Sequence, residues 1–187
     1  FTWKEFQTRN NSELVAIYGN FANRVLSLIK KYYDGKIPKV ESKNRVDELV
    51  LEDVKVLKEE IESNLDSFKF REATKNLMNI ARIGNKYLAE TEPWKIKESD
   101  PLRVEQILHT SFIIISYLAI VSEPFLPFTS VKLKNMIGLN DYSWDDLDKI
   151  FGTINYNFTI VDIVILFKRI EDSEIEYQID KLKKSAN

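Results

Sequence analysis

Apolar residues recur every three or four positions along most of this sequence, which is the spacing of one face of an α-helix. The 187 residues include only five glycines and five prolines, so few positions interrupt the pattern. Long helices joined by short connections are therefore predicted. They cover approximately residues 12–34, 42–65, 69–90, 101–123 and 129–137, followed by a short helix from 143 and a last helix at 173–184.

Most of the predicted helices are bounded by residues that favour helix ends. Asn, Asp and Ser accept hydrogen bonds from the free N–H groups at a helix N-terminus, and an acidic residue three positions later strengthens the signal. Glycine ends a helix because it tolerates the left-handed conformation. The candidates are Asn10, Asn11 or Ser12 and Gly35 for the first helix, Ser143 with Asp146 for the short helix, and Ser173 with Glu176 for the last helix.

The fourth predicted helix, which begins at Pro101, is apolar almost all round. Its longest apolar run extends from Phe112 to Val121, about half the length that a membrane-spanning helix needs. We therefore expect a buried helix at the centre of the domain, packed on several sides by amphipathic helices.

Residues 158–167 are rich in Ile, Val and Phe, which fits a short strand or an extended strap. The remaining pattern predicts an all-α protein, an antiparallel helix bundle. We expect a single domain over residues 1–187, in which 1–11 lead into a bundle of residues 12–152 and 153–187 form a C-terminal strap and helix. The chain starts without Met or a signal-peptide pattern, so we interpret it as part of a longer protein.

The charge of the chain limits the ways in which it can bind nucleic acid. A net charge of -2 and a pI near 5.6 argue against binding through many phosphate contacts, which require an excess of Lys and Arg. The absence of cysteine excludes disulfides and thiolate metal sites, and a single histidine cannot form a cluster alone. We predict no metal site in this chain.

No catalytic constellation is found in the sequence. It contains neither a glycine-rich phosphate loop nor a nucleophile elbow. The acidic residues between 52 and 62 fall on the polar face of a predicted helix, where solvation is the ordinary explanation. His109 lies among apolar residues and is interpreted as structural. We therefore predict no catalytic residue and no cofactor site in these 187 residues.

One polar stripe follows the first predicted helix: Asn20, Asn23, Arg24, Ser27 and Lys31 recur at intervals of three and four residues. Asn offers a donor and an acceptor on one planar group, and Arg offers a rigid fork of donors, which together suit the edge of an unpaired base. The spacing alone favours the alternative, an ordinary solvated helix face.

Pro93 and Trp94 form the second candidate, at the end of the third predicted helix. A proline-stiffened turn can present an indole as a platform on which an unpaired base stacks. The alternative, which the pattern alone favours, is that Trp94 fills part of the core, as large aromatic residues usually do.

Several segments, in this order and spacing, resemble the anticodon-binding domain of methionyl-tRNA synthetases. The resemblance covers nearly the whole chain and is carried by its combination of motifs. These are GNFANRV at 19–25, YYDG at 32–35, NKYL at 85–88 with EPW at 92–94, SEPFLPF at 122–128, and FKRIED at 167–172.

The resemblance implies a helix bundle of the class I aminoacyl-tRNA synthetase anticodon-binding type. It also implies that Asn20 and Arg24 read the first anticodon base, a cytosine, while Trp94 stacks on it and Pro93 shapes the turn. The partners implied are the anticodon loop of methionine tRNA and the catalytic domain of the same chain, in the cytoplasm and without a membrane.

ATP and zinc are implied only for the catalytic domain, since this sequence lacks His-Ile-Gly-His, Lys-Met-Ser-Lys-Ser and the Cys-rich zinc insertion. The fragment is therefore expected to be inactive alone, although the resemblance implies that its parent is a methionine–tRNA ligase.

Two other functions stay open at this point. A helical protein-interaction domain without RNA binding predicts that Asn20, Arg24 and Trp94 lie buried or apart, whereas an anticodon-binding domain predicts that they are exposed together. A self-standing enzyme predicts turnover in isolation, which the missing constellations disfavour.

Overall fold

The apolar periodicity produces helices throughout the part of the chain that the computed structural model describes, residues 1–42, 44–150 and 156–185. Within these ranges the β-type pairing consists of one isolated antiparallel bridge, between Lys36 and Thr159. The all-α class is therefore confirmed. The helices are α1 (Trp3–Arg9), a π-helical segment (Asn10–Gly19), α2 (Asn20–Tyr33), α3 (Arg45–Asp66), α4 (Phe70–Thr91), α5 (Pro93–Ile96), α6 (Pro101–Val121), α7 (Pro127–Ile137), a 3₁₀-helix (Trp144–Lys149) and α8 (Asp172–Ser185).

Helix α6 is the central helix, as its composition predicts. Every residue from Ile107 to Val121 is buried, and α2, α3, α4, α5, α7 and the 3₁₀-helix all pack on it. Among the described residues, α6 alone is long and apolar enough to cross a membrane. Of its most apolar 18-residue window, 89% is buried inside the bundle, and core helices of soluble proteins share this composition.

The N-terminal helical region starts earlier than its sequence pattern indicates. Thr2 caps it at Trp3 by accepting a hydrogen bond from the Glu5 N–H, at 3.1 Å. The predicted start near Ser12 is therefore wrong, and residues 3–11 are already helical. Instead of capping, the Asn11 amide donates to the Ile170 carbonyl (2.8 Å) and accepts from the Ile170 N–H (2.9 Å).

The predicted end of this region at Gly35 is confirmed. Asp34 and Gly35 both adopt positive φ angles, 51° and 81°. The Gly35 backbone also accepts a hydrogen bond from the Ile160 N–H at 2.9 Å, and a Cβ at Gly35 would lie 2.3 Å from the Ile160 carbonyl oxygen. Glycine is required here for both its conformation and its lack of a side chain.

Helices α3 and α4 form an antiparallel hairpin that supplies one wall of the bundle. The predicted apolar face of α4, from Ala73 to Leu88, is buried as expected. Of the stripe predicted for α3 from Val46 to Leu65, Val54 and Ile61 are buried, whereas Val46 in the first turn is 50% exposed. Leu51, which lies beside this stripe, is buried as well. The first turn of α3 instead buries Asp47, which is completely inaccessible to solvent.

The C-terminal part combines an extended strap with α8. Residues 158–167 form no continuous strand; apart from the bridge at Thr159 they run as an extended strap, the second of the two predicted forms. The Ser143–Asp146 capping box is confirmed, but the one expected at Ser173 is wrong, because Glu174 accepts from the Glu171 N–H at 2.9 Å. The expected boundary between residues 152 and 153 lies outside the described residues.

Candidate nucleic-acid interface

The contact between α2 and α4 depends on the absence of a side chain at Gly84. The Phe21 ring lies directly against this glycine, so that a Cβ at Gly84 would lie 2.2 Å from the Phe21 Cζ atom. Phe21 is completely buried. This close approach brings the polar residues that follow and precede the pair, Asn85 on α4 and Asn20 on α2, to the same edge of the bundle.

An amide chain connects the two helices at that edge. The Asn20 Nδ2 donates to the Asn85 Oδ1 at 3.2 Å. The Asn85 Nδ2 in turn donates to the backbone oxygens of Ile17 (2.9 Å) and Ala81 (3.0 Å). The bond to Asn85 holds the Asn20 carboxamide in one orientation. Because Asn20 is exposed, this carboxamide stays accessible to a ligand.

Arg24 lies one helical turn beyond Asn20 and contacts Trp94. Its Cζ atom is 5.3 Å from the centroid of the indole ring, which is a cation–π distance. Trp94 is 39% exposed, so it lies at the surface and does not fill the core. Asn20 is also exposed, and Arg24 is half-buried. This group of Asn20, Arg24 and Trp94, with Pro93, is called the α2–α5 cluster below.

The turn that carries Trp94 is sharply defined. Glu92 adopts a left-handed conformation, with φ 42°, and ends α4. Pro93 is buried and starts α5 at a position where its missing N–H costs nothing. The Glu92 carbonyl accepts from the Lys95 N–H at 2.8 Å, which closes the turn and places the indole on the outside.

Lysine side chains lie near the cluster although the whole chain is acidic. Lys97 lies over the ring of Tyr32 with its Nζ 4.4 Å from the ring centroid, and Lys31 approaches the same ring at 5.7 Å. Glu92 partly offsets this charge through an ion pair with Lys95 at 2.9 Å. Lysines at these positions are able to contact a short segment of backbone phosphates.

The structure divides the polar stripe that the sequence indicates. Asn20 and Arg24 belong to the α2–α5 cluster, whereas Ser27 donates to the Asn23 Oδ1 at 3.4 Å. Asn23 and Asn20 both line a cavity of about 210 Å³ between α2 and residues 163–167 of the strap. The sequence did not predict that Asn85 bridges the two helices. The signal that could have indicated this role is that Asn85, the first residue of the NKYL segment, directly follows Gly84.

The described residues outside the cluster suggest no catalytic or metal site. His109 is buried, with its Nδ1 atom 3.0 Å from the Pro38 carbonyl oxygen and its ring stacked on Tyr156 at 6.0 Å, which supports its structural interpretation. In the part of the chain that the structure describes, no group of three or more His, Asp or Glu residues has a geometry suited to a metal ion.

Most of the chain matches a known protein family. Residues 37–185 match the family described as the anticodon binding domain of methionyl tRNA ligase. The chain belongs to this family. The matched range contains Pro93 and Trp94, whereas Asn20 and Arg24 precede it.

Curated relatives in this family match the chain over its whole length. Methionine–tRNA ligase of Phocaeicola vulgatus is 48% identical over 189 residues, and that of Bacteroides fragilis is 46% identical over 189 residues. In both comparisons the match covers 100% of the chain and 28% of the relative. The chain thus spans less than a third of the length of these ligases.

Solved structures share the fold at lower sequence identity. The free form of Mycobacterium tuberculosis methionyl-tRNA synthetase superposes with a TM-score of 0.84 at 22% identity, covering 91% of this chain and 35% of that one. The same synthetase in complex with methionyl-adenylate gives a TM-score of 0.81 at 20% identity, covering 90% and 34%. The helix bundle is therefore the fold of this part of methionyl-tRNA synthetases, as the resemblance implied.

Proposed function

We propose that this chain binds the CAU anticodon of methionine tRNAs, so that the parent ligase attaches methionine to them in an ATP-dependent reaction. The observation that carries this proposal is the α2–α5 cluster, in which an exposed indole lies beside an Arg and an Asn that can read a base edge. Single-stranded RNA is commonly recognised in this way, by stacking an unpaired base and bonding its edge.

The first anticodon base, cytosine, is the base assigned to this cluster. Its exocyclic amine needs an acceptor, and its ring nitrogen and oxygen need donors. The Asn20 carbonyl is an acceptor, and the Arg24 guanidinium supplies donors only. Guanine presents the opposite pattern along the same edge, which is the basis for discrimination. Entry of the base moves Arg24 from the ring of Trp94 toward the base edge.

The rest of the parent ligase is assigned to the side of the domain where both ends of the chain meet. Lys4 and Gln7 of α1 bond to Asp172 at the start of α8, at 2.9 Å each. Phe6 (46%) on α1 and Leu182 (56%) on α8 leave apolar surface exposed on these two helices. We assign this surface to the catalytic domain of the same chain, in keeping with the role predicted for the C-terminal strap and helix.

ATP, and zinc in the parent, belong to that catalytic domain, and the 187-residue chain is inactive alone. The methionyl-adenylate bound to the M. tuberculosis relative supports the ATP assignment. The protein is placed in the cytoplasm, where tRNA is aminoacylated. Asn20 and Trp94 are exposed, and the half-buried Arg24 contacts the Trp94 ring. This arrangement on one surface disfavours the alternative, a protein-interaction domain without RNA binding.

Binding of the chain to an anticodon stem-loop carrying CAU, compared with one carrying GAU, tests the proposal at moderate salt. We expect tighter binding of CAU by about tenfold or more, since one good base contact contributes about 1–3 kcal/mol of discrimination. Arg24→Gln is expected to reduce this ratio more than it reduces general affinity. Equal affinity of the unchanged chain for both loops would show that it does not read the first base.

Trp94→Ala is expected to weaken binding of the CAU stem-loop by about 1–3 kcal/mol, the contribution of one stacked base. The fold should persist, because Trp94 is 39% exposed. The matched control is Trp144→Ala. Trp144 packs beside Glu62 on another part of the bundle, so this substitution should leave RNA affinity unchanged. Urea denaturation checks the fold; a loss of several kcal/mol in Trp94→Ala would mean that the indole is part of the core.

A further inference from the structure

A buried carboxylate connects the two ends of the segment that carries Trp94. Asp47, in the first turn of α3, has no solvent-accessible surface. It accepts a hydrogen bond from the Tyr87 hydroxyl at 2.5 Å. Both terminal nitrogens of Arg103 donate to its two oxygens, at 2.6 and 2.7 Å. Planar bidentate pairs of this kind fix geometry as well as adding energy.

The two partners of Asp47 lie on either side of the turn that carries Trp94. Tyr87 lies in the last turns of α4, and Arg103 lies in the first turn of α6. Between them are the left-handed Glu92, the buried Pro93 and the exposed Trp94. The turn is therefore held on both sides by one side chain of a third helix.

The segment between Tyr87 and Arg103 is rigid, so a shift of either end is transmitted to the other. Pro93 fixes its own φ angle and is buried, and α5 packs on α6. The N-terminus of α6 is itself capped, because Asp100 accepts from the Arg103 N–H at 3.0 Å. A displacement of α6 relative to α4 therefore has to move α5 and the indole on it.

We propose that Asp47 is a positioning residue for RNA binding: through Tyr87 and Arg103 it sets the place and tilt of the Trp94 indole on which the first anticodon base stacks. Asp47 does not contact the base. The inference rests on the proposed function, and it adds a residue on α3 that acts from the interior of the domain.

The test compares two tyrosines that each lose one buried hydroxyl. Tyr87→Phe removes the bond to Asp47, and Tyr18→Phe removes a bond between the Tyr18 hydroxyl and the Ser122 Oγ, at 3.0 Å. Both side chains are buried in the bundle, so both variants lose stability. Asp47→Asn is a second variant, which keeps the shape of the side chain and removes its charge.

Two readouts are made on these variants of the 187-residue chain. The first is ¹⁹F NMR of protein labelled with 5-fluorotryptophan, in which Trp3 and Trp144 provide reference signals for Trp94. The second is affinity for the CAU stem-loop, measured at a temperature where every variant is folded. We expect Tyr87→Phe and Asp47→Asn to shift or broaden the Trp94 signal alone and to weaken binding by about tenfold, within the contribution of one stacked base.

Tyr18→Phe is expected to leave the Trp94 signal in place and binding within about twofold, a small change in free energy. The proposal is overturned if folded Tyr87→Phe keeps both the Trp94 signal and the affinity of the unchanged chain, or if Tyr18→Phe alters them equally. Trp94→Ala separates this outcome from failure of the proposed function. If Trp94→Ala binds the loop normally, the proposed function fails; if it binds weakly while Tyr87→Phe binds normally, only the positioning role fails.

Discussion

Arg103→Ala is expected to lower the free energy of unfolding by about 3–5 kcal/mol, because it leaves a buried carboxylate without its cationic partner. Asp47 is fully inaccessible, and the Arg103 side chain is only 17% exposed. The hydrogen bonds that Arg103 donates to Asp47 raise the pKa of Arg103 above its ordinary value, so the guanidinium is charged at any working pH. Once it is removed, the partners left to the carboxylate among the described residues are the Tyr87 hydroxyl and the N–H of Asn44.

The matched control is Arg45→Ala, the same substitution two positions before Asp47. Arg45 is 68% exposed, and it pairs with Glu48 at 3.3 Å and Glu52 at 3.9 Å. Exposed pairs of this kind contribute about 0–1 kcal/mol. Urea denaturation of both variants at neutral pH measures the difference. If Arg103→Ala lost no more stability than Arg45→Ala, the Asp47–Arg103 pair would not hold the bundle together.

The helix content could be predicted from the sequence wherever one amphipathic helix supplies its own pattern. The apolar face of α4 follows directly from its spacing, and the end of α2 follows from Gly35. The start of the N-terminal helical region could not be predicted in this way. Asn11 is of a residue type that commonly caps helices, but its side-chain amide bonds to Ile170, which lies 159 positions away.

The same distinction explains which parts of the candidate site were predictable. Asn20, Arg24 and Trp94 are indicated by their periodicity, by a Pro-Trp turn and by resemblance, each of which is a local property of the chain. Asp47 resembles any acidic residue in the first turn of a helix. Its burial depends on Tyr87 and Arg103, which are 40 and 56 positions away. A buried polar residue held by distant partners leaves no local signal.

Gly84→Ala is the second substitution with a large expected effect, a net loss of about 1–3 kcal/mol in the free energy of unfolding, as is usual when a packed core is overfilled. In an exposed helix the same change stabilises by about 1 kcal/mol, because alanine has the higher helix propensity. Here the new methyl group would lie 2.2 Å from the Phe21 Cζ atom. Phe21 is completely buried, so we expect α2 to move away from α4 to relieve this contact.

Two further variants test whether this contact is the cause. Ala89→Gly, at an exposed position on α4, measures the propensity contribution alone and should cost about 1 kcal/mol. Phe21→Leu should be less destabilising with Gly84→Ala than alone, because leucine lacks the ring atoms that meet the new methyl group. A coupling energy of about 0.5–3 kcal/mol is expected for residues in such direct contact. Stabilisation by Gly84→Ala, or additive effects in the double variant, would show that the two helices do not depend on this glycine.

Separation of α2 from α4 also breaks the bond between Asn20 and Asn85. Gly84→Ala should therefore weaken CAU binding, while Ala89→Gly leaves it unchanged.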